Sequence, residues 1–182
     1  MYTAWLKGNL VVYPAEAGPV IEYFADTTNG SASNDGLSWE RAKATVAQAL
    51  ALNTGRGLSR TYVAPGGYTE DHVTPLNATA PFGALIAVNP TPGQSFGAAY
   101  LTASTAGTAV LTIRARGWYI SGFEIDALAD AECIVIGGTT AGNNAAGAMI
   151  ENCLLVGQNQ GLAGIDWQSS VSGNPLVTIR SC

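Results

Sequence analysis

Ile120-Ser121-Gly122-Phe123-Glu124-Ile125, Ile150-Glu151-Asn152-Cys153-Leu154-Leu155 and Ile179-Arg180-Ser181-Cys182 align without gaps, and their leading isoleucines stand 30 and 29 positions apart. A second register runs between them: Ile134-Val135-Ile136 and Ile165-Asp166-Trp167, 31 positions apart. Upstream, Leu111-Thr112-Ile113-Arg114-Ala115 has the same grammar. Successive strand side chains point to opposite sides, so Leu111, Ile113 and Ala115 share one face. A repeat of roughly 20–30 residues made of short strands marks a chain of stacked units. No helical period survives after residue 60, so leucine-rich repeats do not fit. The pattern predicts an all-β solenoid, a parallel β-helix whose coils each add about 4.8 Å along the axis. Like then stacks on like, Ile120 over Ile150 over Ile179, and Phe123 over Cys153 over Cys182.

Working back toward the N-terminus, the spacing predicts a single helix. Ser38 is a good N-cap. Trp39, Ala42, Val46, Ala49 and Leu50 fall on one face of a 3.6 period, and Gly55 and Gly57 end it. Before it lies Asp26 to Gly36, dense in Asn, Asp, Ser and Gly, which is turn chemistry. Residues 1–24 hold two apolar stretches, Leu10–Tyr13 and Val20–Phe24, read as two short strands or an extended arm. Three regions follow: an arm or attachment segment (1–24), a turn-rich segment with a capping helix (25–60), and β-helix coils (61–182). The helix covers the exposed strand edge at the N-terminal end. The sequence stops within a repeat at Cys182, so either the native chain continues or a partner covers that edge.

Composition narrows the function classes. The chain has 182 residues, 47% of them apolar and 12% charged, against about 25% charged in an ordinary soluble protein. Eight Lys/Arg against 13 Asp/Glu give a net charge of −5, which makes no basic face for nucleic acid. Coiled coils are excluded because the charged e and g residues are missing. No run approaches the ~18 apolar residues of a membrane span, so no membrane insertion is expected. The N-terminus shows no evident signal peptide, since Leu10–Tyr13 is too short for an apolar h-region. Three cysteines without a CxxC make neither a disulfide framework nor a zinc site. Cys153 and Cys182 stack at a separation that permits a disulfide, with free thiols in an apolar core as the expectation.

Several phrases resemble a family. They are Tyr23-Phe24-Ala25-Asp26, Asn34-Asp35-Gly36-Leu37-Ser38-Trp39, Ala44 to Leu50, and Tyr62-Val63-Ala64-Pro65-Gly66-Gly67-Tyr68-Thr69-Glu70. This stretch resembles the entry of the pectin-lyase-like right-handed parallel β-helix superfamily, in which a turn-rich segment leads to a capping helix and a first coil. Ile150 to Leu154 and Gly164-Ile165-Asp166 resemble its later coils. The likeness spans about residues 20–182. It implies a right-handed β-helix and a function among polysaccharide lyases, glycoside hydrolases, epimerases and phage tailspikes, the last being homotrimers.

Candidate site residues follow from chemistry. Glu124, Asp126 and Asp166 are outward carboxylates, and a pair about 5–9 Å apart could cleave glycosides. Stacking opposes the pair, because Glu124 aligns with Leu154 and Asp126 with Val156. Arg114 and Arg116 could neutralise a uronate and abstract its proton. Trp118 and Tyr119 are adjacent, so one must face outward and offer a stacking surface for a glycan, whereas Trp167 aligns with Ile136 and points inward. Asp26 to Asp35 fails as a calcium loop, because Thr28 and Gly30 hold the third and fifth ligand positions. His72, the only histidine, is expected in a loop after the first coil, and no metal site or cofactor is expected. The reading is a virion structural or host-surface glycan-binding protein of the phage tailspike or decoration type, in the virion or outside the cell. Its partners are itself, other virion proteins or a surface polysaccharide, with outward Leu154 and Val156 at a subunit contact. The alternative is a secreted polysaccharide lyase or glycoside hydrolase.

Overall fold

The computed structural model describes residues 3–6, 9–12, 20–55, 58–76, 78–88, 99–128, 130–138, 145–157, 164–169 and 177–182. The first two strands, β1 (Thr3–Leu6) and β2 (Asn9–Val12), form an antiparallel pair. Every other strand pairing among the described residues is parallel. The strands are β3 (Ile21–Ala25), β4 (Ser59–Val63), β5 (Gly66–Thr69), β6 (His72–Val73), β7 (Gly83–Ala87), β8 (Ala99–Thr102) and β9 (Leu111–Ile113). They continue with β10 (Tyr119–Ser121), β11 (Glu124–Ala127), β12 (Ile134–Gly138), β13 (Met149–Glu151), β14 (Leu154–Gly157), β15 (Ile165–Ser169) and β16 (Thr178–Arg180). From β4 onward, successive strands visit three sheets in rotation. One sheet has the order β16-β13-β10-β7-β4-β3, a second β14-β11-β8-β5, a third β15-β12-β9-β6.

The fold is thus all-β and parallel, and the aliphatic columns are its core. Ile120 pairs in register with Ile150, and Ile150 with Ile179. The column extends the other way through Leu85, Thr61 and Tyr23. In the third sheet Ile134 lies between Leu111 and Ile165. Leu85, Leu111, Ile113, Ile120, Ile125, Ile134 and Ile150 are fully buried. At the last strands the same columns lose cover: Ile179 is 49% and Trp167 44% exposed. Trp167 keeps its register with Ile136, so alignment is as expected but burial is not.

Two corners recur. Gly122, Asn152 and Ser181 each follow a first-sheet strand, and all three have positive φ (86°, 54° and 51°). Phe82, Gly117 and Gly147 each stand two residues before the paired positions Ala84, Tyr119 and Met149, again at positive φ (63°, 67° and 74°). The left-handed turn, not the identity of the residue, is therefore the repeated feature.

The expected helix is corrected in two respects. Trp39–Arg41 is a single 3-10 turn, and the α-helix α1 is only Val46–Ala51. Between them Ala42 is extended and Lys43 forms a bridge to Ala25. Lys43 N donates to Phe24 O and Asp26 N to Lys43 O, so strand-like pairing outcompetes helix there. Thr45, not Ser38, caps α1, with its Oγ1 accepting from Gln48 N at 3.2 Å. The chain after β3 runs through α1 to β4, and α1 packs against β3, β4 and β6. Its buried face is Val46, Ala49 and Leu50. A third change concerns Val20–Phe24. Strand β3 is the outermost strand of the six-stranded sheet, paired with β4, so it belongs with the parallel sheets and not with an arm.

His72 is also relocated. It starts β6, pairs with Leu111 and is fully buried. It takes an inward column position, and no loop holds it.

Candidate functional site

The six-stranded sheet turns one face to the core and the other outward. In β3, Ala25 is buried, which sends Glu22 and Phe24 outward; in β4, buried Thr61 and Val63 do the same for Arg60 and Tyr62. Phe24 and Tyr62 are register partners. Their rings stack with centroids 5.7 Å apart and planes at 26°. Trp39, carried by the 3-10 turn, meets Phe24 edge-on at 4.8 Å and is 38% exposed. Three rings thus form a row across the N-terminal edge of this face.

Polar groups border the row. Tyr62 Oη donates to Glu22 Oε1 at 3.4 Å, and Arg60 Nη1 lies 3.8 Å from the same oxygen. Both ends of that ion pair are about half exposed, so it adds little stability and stays open to exchange for a ligand's hydroxyls. Farther along the face, Tyr119 Oη donates to Glu151 Oε2 at 2.8 Å. Burial raises the Tyr119 pKa, and the carboxylate adds to the rise. Aromatic faces with hydrogen-bonding rims match a sugar, whose C–H face is apolar and whose edge is hydroxylated. A polyanion suits the surface less, because the net charge is −5.

The expected site residues fall in different places. Tyr119 is on this outward face. Trp118 is not: it is fully buried, and its Nε1 donates to Ala80 O at 3.0 Å. The indole fills the space above Gly83, where an added Cβ would sit 2.4 Å from the ring. Of the adjacent pair it is Tyr119 that faces outward, so Trp118 offers no stacking surface. Glu124 and Asp126 lie on β11 in the second sheet, Asp166 on β15 in the third. Neither Glu124 nor Asp126 has an acidic register neighbour; they pair with Tyr100 and Leu154, and with Thr102 and Val156. Tyr100 Oη donates to Asp126 Oδ2 at 2.7 Å. That bond, with some burial, pushes the Tyr100 pKa up to about 12. Asp166 accepts from Gln168 Nε2 at 2.9 Å.

Arg114 and Arg116 also part company. Arg116 lies over the Phe82 ring, 5.1 Å from its centroid. Arg114 is half-buried, and burial lowers its pKa. Its Nε donates to Thr74 O at 2.9 Å. It lines an open cleft of about 370 Å³ beside α1, together with Asn53, Asp71 and Leu76. Asp71 is committed to holding a turn, accepting from Ser104 N and Oγ and from Thr105 Oγ1. Among the described residues no three His, Cys, Asp or Glu side chains converge as a metal site. Asp26 Oδ1 accepts from Thr28 N and Asn29 N, so that segment is turn structure.

The sequence reading missed Phe24, Tyr62 and Trp39. The signal that could have found them is an aromatic at the outward position of each of two paired strands. It was masked because the register partners Tyr23 and Thr61 are 38 positions apart, outside the 30-residue interval of the later repeats. No known family, no curated protein and no solved structure matches the chain.

Proposed function

We propose that this chain is a right-handed parallel β-helix of the pectin-lyase-like kind that binds a cell-surface glycan. Its setting would be a virion protein of tailspike or decoration type, assembled as a homotrimer. The rotation of strands among three sheets supports the solenoid, and the near-universal right-handedness of parallel crossovers supports its hand. The observation that carries the binding reading is the row Trp39, Phe24 and Tyr62 with its polar rim. Binding is favoured over cleavage because Glu124 and Asp126 have no acidic register neighbour and Asp166 stands on another sheet. Leu154, outward and 43% exposed, supports a subunit contact.

The test is a screen of the purified chain against bacterial surface polysaccharides, followed by titration of any that bind. Tyr62→Ala and Trp39→Ala should each weaken binding about 10-fold or more, on the ~1–3 kcal/mol scale of a stacked aromatic. Undiminished binding in both variants would sink this placement of the site. Turnover of the glycan would instead favour the lyase or hydrolase reading. Light scattering should give three times the chain mass.

A further inference from the structure

We propose that Cys153 and Cys182 are a peroxide-responsive thiol pair that closes into a disulfide and fastens the last described strand to its neighbour. The register places them together. Ile150 faces Ile179 and Glu151 faces Arg180, and the next residues, Asn152 and Ser181, make the same left-handed corner. Asn152 N donates to Arg180 O at 3.0 Å, which carries the pairing through that corner to the cysteines.

The two thiols repeat one geometry. Cys153 Sγ contacts Glu151 O at 3.5 Å, and Cys182 Sγ contacts Arg180 O at 3.2 Å, in each case two residues back. Cys182 Sγ also reaches Ile150 O at 4.0 Å, on β13, the strand that leads into Cys153. Neighbouring parallel strands are about 4.8 Å apart, inside the roughly 4.4–6.8 Å between Cα atoms that a disulfide spans. The remaining adjustment falls on the β16 end, where Ile179 is half exposed and little packing opposes it.

The thiols divide the chemistry. Cys182 is exposed and Cys153 is buried. Burial pushes the Cys153 thiol up to about 11, so it is a poor first nucleophile. The Cys182 thiolate attacks a hydroperoxide, the O–O bond breaks, and Cys182 becomes a sulfenic acid with release of hydroxide or alkoxide. The Cys153 sulfur then attacks the sulfenic sulfur. Its thiol proton and the sulfenic OH leave as water, and the S–S bond forms. Cys133 is an internal control. It is buried directly before β12, its Sγ directed to Val156 O at 3.5 Å.

The experiment treats the protein with stoichiometric hydrogen peroxide, then alkylates under denaturing conditions and maps peptides by mass. The expected product is a chain lighter by about 2 Da, as two thiols become one disulfide. Its Cys153 and Cys182 peptides are joined and Cys133 is alkylated. Cys153→Ser should stop at a Cys182 sulfenic acid that dimedone traps, and Cys182→Ser should leave Cys153 reduced. The melting temperature of the wild type should rise on oxidation and return with dithiothreitol. Dimers linked through Cys182, or over-oxidation of Cys182 with Cys153 still alkylatable, would overturn the proposal.

Discussion

At the scale of single residues, backbone sign matters as much as side-chain type. Gly117 sits at φ 67°, and a Cβ there would lie 2.3 Å from the Phe82 ring. Gly117→Ala should therefore combine a left-handed penalty with a clash, lowering stability by about 1–3 kcal/mol in chemical denaturation. An unchanged midpoint would mean that Phe82, itself at φ 63°, gives way without cost. Trp118 provides a complementary case. Truncating so large a buried ring, Trp118→Ala, should cost about 3–5 kcal/mol, while glycan affinity per folded molecule stays as it was. The opposite pattern, full stability with lost binding, would return Trp118 to the role its adjacency to Tyr119 suggested. Strand alternation alone sets one of the two outward without naming it. The deciding fact is the Ala80 carbonyl, 38 residues away, which no local pattern shows.

At the scale of elements, α1 exists because of partners remote in sequence. Its six residues are too few to be helical alone. Thr45 caps it, and Glu70 Oε1 accepts from Val46 N at 2.7 Å and Ala47 N at 3.2 Å. A 3.6 period was legible from Trp39 to Leu50, but periodicity cannot register that Lys43 pairs with Ala25 or that Glu70 supplies the cap. The same carboxylate oxygen lies 3.6 Å from His72 Nδ1. Burial lowers the His72 pKa below its ordinary 6.5, and the nearby Glu70 and Asp71 charges only partly oppose it. The unfolded chain then binds the proton more readily than the folded one, so this group's contribution is complete above pH 6.5 and is lost as pH falls below it. The melting temperature should drop between about pH 7 and 5, a range in which few other groups titrate. His72→Leu, which matches the next residue in its column, should flatten that drop. An equally steep drop in the variant would assign the pH sensitivity to other groups.

At the scale of the whole molecule, each described strand pairs with the strands before and after it in its own sheet, so cohesion across a sheet is built from neighbouring pairings. The later part of this arrangement was open to sequence reading because its intervals are nearly constant. Ile120, Ile150 and Ile179 fall into step, and the structure pairs all three. The earlier part was hidden: Thr61 to Leu85 is 24 positions and Leu85 to Ile120 is 35, since the connections between strands absorb length without disturbing register. The aromatic row proposed to bind glycan suffered most, as its rings stand on β3, β4 and the 3-10 turn, all within that irregular stretch. Nearest-neighbour cohesion has a dynamic consequence. Among the described residues, Leu85, Ile120 and Ile150 have a partner on each side and are fully buried, whereas Ile179 has one partner and is half exposed. Local opening should therefore begin at β16 and move inward. In native-state hydrogen exchange, the amides of Thr178–Arg180 should be the least protected of the six-stranded sheet, those of β13 next, and those of β7 and β10 the most protected. Ile150→Ala leaves a void beneath Ile179, so it should speed exchange in β16 and β13 far more than in β7. If protection were uniform across the sheet, or if Ile150→Ala lowered it equally everywhere, the columns would be acting as one cooperative block, and the neighbour-by-neighbour account of this molecule would have to be abandoned.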